Sequence, residues 1–147
     1  MLFKRVNVNN NERVIASRNG KFVSILTPGT YRFMAWPGVS FETEIHNLSD
    51  PLFRSNWKQY LIEKKPHIIA AHFVVFETTE SEIAMIFVDG MLYQVVLPGM
   101  RVLFWKDAAS VSAEVVSIID SELPERAIAQ LEAPEYQAEI DYLFSEP

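Results

Sequence analysis

Two tight-turn dipeptides, Asn19-Gly20 and Asp89-Gly90, stand 70 residues apart, and the same shift carries Pro28-Gly29 onto Pro98-Gly99 without a gap. Repetition at a fixed period constrains a fold more than any local propensity, because each copy must build the same supersecondary unit. The shift also superimposes Glu12 on Glu82, Glu44 on Glu114 and Asp50 on Asp120. Between these anchors apolar residues meet apolar residues: Phe22 with Leu92, Ile25 with Val95, Phe33 with Leu103, Phe41 with Val111 and Ile45 with Val115.

The anchors are residues with backbone roles. A two-residue type I′ hairpin needs positive φ at both central positions, and Asn-Gly and Asp-Gly supply it at the least steric cost. RVIASR and KFVSIL flank the first pair, IAMIFV and MLYQVV the second. Each Pro-Gly pair predicts a type II turn, with Pro setting φ at the first central residue and Gly taking the positive φ. A third run, YRFMAW or RVLFW, and a fourth, VSFETEIHNL or VSAEVVSII, complete each copy. Phe3 falls on Phe73, so KRVNV and HFVVFET become equivalent opening strands. About five short strands suit one small sheet. Trp36 and Trp105 miss each other by one position, which predicts a slip or bulge at the strand end.

Between the copies, DPLFRSNWKQYLIEKK reads as a helix with Asp50 as cap and Pro51 in the first turn. Leu52, Phe53, Trp57, Tyr60 and Leu61 share one face at the helical period, and Pro66 ends the element. SELPERAIAQLEAPEYQAEI repeats the pattern, with Asp120 or Ser121 as cap, Pro124 in the first turn and Leu131 at the position of Leu61. YLFSEP then matches the start of an opening strand, so the sequence reads as a segment of a longer array. The expected fold is mainly β with helical connectors (α+β): two tandem, small antiparallel β-meander units, each followed by a helix. The organisation predicted is a first β unit at 1–50, a helical connector at 51–71, a second β unit at 72–120, and at 121–147 a second connector with the start of a third unit.

Composition narrows the function. There is no cysteine, which removes disulfide frameworks and thiolate metal sites and fits a reducing compartment. The net charge of −6 argues against a nucleic-acid partner, since phosphate binding draws on clustered Lys and Arg. The N-terminus turns polar within a few residues, without the apolar stretch of a signal peptide. The longest apolar run, Ile68 to Phe76, is about half of the roughly 20 residues that cross a bilayer.

No catalytic constellation emerges. His46, His67 and His72 have no partners at metal-ligand spacing and read as structural. Glu12 and Glu82 recur beside their turns, and their expected role is to accept backbone N–H bonds where a strand begins. Met34, Trp36, Phe104 and Trp105 gather at equivalent strand ends. If exposed, they form an apolar rim suited to a partner subunit; buried, they close the core. The expectation is therefore no catalytic, cofactor-binding or metal site.

The series NERVIASRNGKFVSILTPGTYRF, followed by YLIEKKPHIIAAHFVVFETTESEIAMIFVDGMLYQVVLPGMRVLFWKD, resembles the N-terminal part of bacterial slipins, relatives of stomatin in the band 7 superfamily. In that group, segments carrying Glu, Ala, Asp-Gly, Pro-Gly and Trp in this order recur ahead of a membrane-associated domain. The likeness spans about Asn11 to Asp120 and rests on turns and packing positions. It implies a scaffold or protein-interaction module of a membrane-associated assembly protein. Protein partners or self-association are expected, with no small-molecule substrate. The implied location is cytoplasmic, peripheral to the inner membrane in the full-length protein, with membrane contact made through parts outside this chain. The alternative is a peptide- or small-ligand-binding accessory domain of a larger multidomain protein.

Overall fold

The structure, a computed structural model, describes residues 2–118. Ten strands and two short helices are present among them: β1 (Leu2–Val8), β2 (Glu12–Arg18), β3 (Lys21–Leu26), β4 (Gly29–Ala35), β5 (Phe41–Asn47), α1 (Lys58–Lys64), α2 (Pro66–His72), β6 (Phe73–Glu77), β7 (Glu82–Val88), β8 (Met91–Val96), β9 (Arg101–Trp105) and β10 (Val111–Ser117). The strands form small antiparallel sheets ordered β3-β2-β5, β1-β4, β8-β7-β10 and β6-β9. The chain divides into two compact units, residues 1–74 with 104–109, and 75–103 with the stretch from Ser110.

The pairing repeats by the sequence shift. Glu12 faces Asn47 across β2-β5, and Glu82 faces Ser117 across β7-β10. Val14 faces Leu26 and Ala84 faces Val96. Even the irregularity recurs, with register shifts between Ala16 and Ser17 and between Ile86 and Phe87.

In the first unit β2 lies between two neighbours, and Arg13 to Ser17 are all buried. A strand covered on both faces cannot alternate apolar with polar, hence the unbroken run VIA. Val8, Val14, Ala16 and Leu26 form the core on one side, with Val6, Tyr31, Phe33 and Phe41 packed against them. In the second unit Ile83 to Ile86 are buried in the same way. Ile83, Met85 and Val95 are joined there by Phe87, Leu92, Val116 and Ile118.

The hairpin tips behave as the dipeptides predict. Asn19 and Gly20 have φ of 51° and 76°, Asp89 and Gly90 of 50° and 82°. They also reach further. Asn19 donates its N–H to the Ser40 carbonyl at 2.7 Å, while its Oδ1 accepts the Ser40 N–H at 2.8 Å. Asp89 repeats this with Ser110 at 2.9 Å and 3.1 Å. This reciprocal clasp holds the residue ahead of β5 or β10 against the turn, so the fifth strand returns beside β2 or β7.

That return corrects the meander. β3 and β4 do not pair; β4 crosses to β1 and β5 comes back to β2. Pro28-Gly29 is no type II turn: Gly29 has a φ of 150° and enters β4 directly opposite Val8. Pro98-Gly99 does turn, with Gly99 at φ 70° donating its N–H to the Thr79 carbonyl at 3.0 Å. The expected slip at the tryptophans is present: Lys106 donates its N–H to the His72 carbonyl and Thr78 to the Met100 carbonyl, one residue out of step with the first ladder's pairing moved by 70. The β1-β4 ladder runs unbroken from Leu2–Ala35 to Val8–Gly29, and Trp36 lies just past its end.

The connector differs from its expected single helix. Residues 51–57 are non-helical, and Pro66 opens α2 instead of only closing α1, as its preset φ and missing N–H allow at a first helical position. Asp50 caps no helix; it pairs with Arg54. The expected second connector, with Asp120, Ser121, Pro124 and Leu131, and the third-copy start at YLFSEP lie outside the described residues. No helix among the described residues is long and apolar enough to cross a membrane.

Asn19→Ala is expected to cost about 1–2 kcal/mol, since it loses the side-chain bond to Ser40 and places a Cβ residue with little αL tolerance at the turn. Asn19→Gly should cost less, because glycine takes the positive φ freely. Urea unfolding of the two variants measures the order.

Candidate interaction surface

The four residues of the expected apolar rim separate. Phe104 and Trp105 are buried, whereas Trp36 is 50% exposed and Met34 37%. The rim is therefore not one surface, and its second half is core. The reason is the segment after β5, Pro51 to Phe53. Trp105 donates its backbone N–H to the Pro51 carbonyl at 2.9 Å, and Leu52 makes an antiparallel bridge to Phe104. An extended stretch thus adds to the edge of β9, the geometry by which a peptide extends a sheet.

Phe53 follows as a wedge, 98% removed from solvent. Its ring lies 4.5 Å from Phe73, 5.2 Å from Trp105 and 5.2 Å from His46, centroid to centroid. Phe73 and Trp105 themselves stand 4.5 Å apart. These separations are those of favourable tilted and edge-on aromatic pairs. His46, one of the three histidines, is a member of this cluster and touches Glu44 through Nε2. The indole N–H of Trp105 is buried without an acceptor among the described residues, a cost of about 1–3 kcal/mol.

The same strand positions in the first ladder are open. Across β1-β4, Phe3 faces Met34, Arg5 faces Arg32 and Asn7 faces Thr30. Alternation sends the intervening Val6, Val8, Tyr31 and Phe33 into the core and leaves this outward set in water, Phe3 at 58% exposure. Thr30 donates to Asn7 Oδ1 at 2.9 Å. Two arginines directly opposite each other repel, and neither forms an ion pair among the described residues. Sequence reasoning found Met34 and Trp36 but missed Phe3, Arg5 and Arg32 as their neighbours. The alternation in KRVNV was the available signal, but it marks a face only once the non-local partner strand is known.

Elsewhere the polar groups hold structure. Glu12 accepts the Asn9 backbone N–H at 3.0 Å, and Glu82 the Thr79 N–H at 3.2 Å. The buried Arg13 guanidinium donates to the carbonyls of Asn10 and Glu12 and, at 3.0 Å, to Asp107. Beside it an open hollow of about 420 Å³ is lined by Asn10, Asn11, Asn47, Leu48, Ser49, Asp107 and Ala108. His72 closes α2, and burial pushes its pKa below 6.5 against the opposing pull of Asp107, with Arg13 and Lys106 reinforcing the drop. The described residues contain no cluster of three or more His, Asp or Glu able to hold a metal. What the site offers chemically is a strand edge, a small apolar face and two free guanidinium groups.

No family model, curated protein or solved structure matches this chain.

Phe53→Ala is expected to cost about 3–5 kcal/mol, the range for emptying a buried aromatic site, whereas Trp36→Ala stays within about 0.5 kcal/mol as an exposed change; denaturant unfolding separates them. Because the His72 pKa is lowered on folding, the unfolded chain binds the extra proton first. Stability is therefore complete above 6.5 and declines as pH falls below it, levelling off once the folded histidine also protonates. Thermal melts across this range should show the decline, and His72→Gln should lessen it.

Proposed function

We propose that the chain is a non-enzymatic scaffold built of two tandem β units with connectors, acting through protein partners or self-association. The observation that carries this reading is the repetition of strand register at a 70-residue shift, including the displaced register at Ala16/Ser17 and Ile86/Phe87. Units repeated in series bury their exposed elements against a neighbour, and their ends remain available for assembly. The open Phe3, Met34 and Trp36 support a protein-binding role, because apolar and aromatic side chains beside arginine are the residue types enriched at interfaces.

On the slipin resemblance, the unit belongs ahead of a membrane-associated assembly domain. It then resides in the cytoplasm, at the periphery of the inner membrane in the full-length protein. A second reading, a module for a small polar ligand, draws on the amide-lined hollow at Asn10, Asn11 and Asn47.

Sedimentation velocity from about 1 μM to about 1 mM spans the range of weak, specific association. Species heavier than the 16.9 kDa chain are expected to grow with concentration. A strict monomer throughout overturns the self-associating scaffold.

A further inference from the structure

Asn19 is the only asparagine in the chain that a glycine follows, and such a pair is open to a reaction of its own backbone. The Gly20 nitrogen, on giving its proton to water, attacks Cγ of the Asn19 side chain. A C–N bond forms, the amide nitrogen leaves as ammonia, and a five-membered imide links the two residues. Water then adds to one of the two imide carbonyls and opens the ring, leaving either aspartate or isoaspartate. This chemistry makes asparagine a thermolabile residue. Gly20 offers no steric shield, since nothing lies within 4 Å of the position a Cβ would take.

The fold opposes the first step and accepts one of the two products. Asn19 donates its N–H to the Ser40 carbonyl at 2.7 Å, and its Oδ1 accepts the Ser40 N–H at 2.8 Å. Held at both points, the carboxamide is not free to swing onto the Gly20 nitrogen, so the clasp must open before the ring closes. Aspartate is already in use at this place in the second copy. Asp89, with a φ of 50° against 51° for Asn19, holds Ser110 through the same two bonds. The surroundings of Asn19 favour a carboxylate further. Arg18 faces Lys21 across the turn, and a negative charge beside them offsets the repulsion of a like-charge pair; the corresponding pair beside Asp89 is Val88 with Met91. Isoaspartate differs, because it routes the main chain through Cβ. The added atom falls in a two-residue hairpin whose length sets the register of its strands, and it displaces the groups that meet Ser40.

We propose that Asn19 is a site of spontaneous deamidation gated by its bonds to Ser40: reaction proceeds from clasp-open chains, the aspartyl product closes the clasp again as Asp89 does, and the isoaspartyl product leaves it open. The modification brings the first hairpin tip to the residue found in the second and adds one negative charge. It consumes only water, and it stands independently of the scaffold reading.

The test incubates the full chain at neutral pH and physiological temperature, folded in buffer and unfolded in guanidinium chloride. Mass spectrometry follows each asparagine, with the aspartyl and isoaspartyl peptides separated by chromatography. In the unfolded chain Asn19 should convert faster than the other six asparagines. The folded chain should convert at Asn19 at least about tenfold more slowly, the factor set by the net strength of one or two hydrogen bonds that must open. No preference for Asn19 in the unfolded chain overturns the site, and equal rates in the two states overturn the gate. Limited proteolysis of the aged folded sample tests the products, since cleavage tracks the open population: isoaspartyl chains should be enriched in the cleaved fraction and aspartyl chains in the intact one. Asn19→Asp should unfold in urea at or above the parent's midpoint. A lowered midpoint, or equal cleavage of the two products, overturns the claim that aspartate alone restores the clasp.

Discussion

The first unit depends on one placement, that of Phe53 between Phe73 and Trp105. It joins residues far apart in sequence, since Phe53 follows β5 while Trp105 ends β9. Two backbone contacts bring it there, the Pro51–Trp105 hydrogen bond and the Leu52–Phe104 bridge. The aromatic rings then supply the burial that makes those contacts worthwhile, because a hydrogen bond alone contributes only about 1 kcal/mol net. Residues 104–109 belong to the same compact unit as 1–74 for this reason. The Lys106 N–H to His72 carbonyl bond and the Arg13–Asp107 ion pair extend the attachment.

Around that attachment each sheet is organised by a central strand and a clasped turn. β2 and β7 read as unbroken apolar runs because both faces are covered. The Asn19–Ser40 and Asp89–Ser110 clasps fix which strand comes back beside them. Pairs of groups from the turn and from the loop ahead of the fifth strand are used twice in one chain. The open face at Phe3, Arg5, Arg32 and Met34 stands apart from this economy. It keeps two arginines opposite each other in water, a local electrostatic cost.

Much of the β architecture was legible in the residues. Strand positions, the type I′ tips and the roles of Glu12 and Glu82 follow from chemistry that acts within a few residues: positive φ, alternation, and side chains reaching nearby N–H groups. The meander order was not legible, because local propensity cannot tell a strand that pairs with its predecessor from one that crosses to β1. The connector misled for a related reason. Leu52 and Phe53 match a helical face, yet the edge of β9 offers backbone partners and an aromatic site, and tertiary context outweighs a short helical pattern. Half of the candidate surface was found from residue type. The other half, Phe3 with Arg5 and Arg32, becomes a surface only through the pairing of β1 with β4.

By itself, then, the sequence determined the strands and their tightest turns, since these depend on alternation and on backbone conformations that Gly, Asn and Asp impose wherever they stand. Tertiary structure alone decided that Trp105 is core and Trp36 is open, although Trp105 ends β9 and Trp36 follows directly on β4. Burial belongs to the neighbour and not to the residue: Pro51 to Phe53 lie along β9, and no described residue pairs with the outer edge of β4.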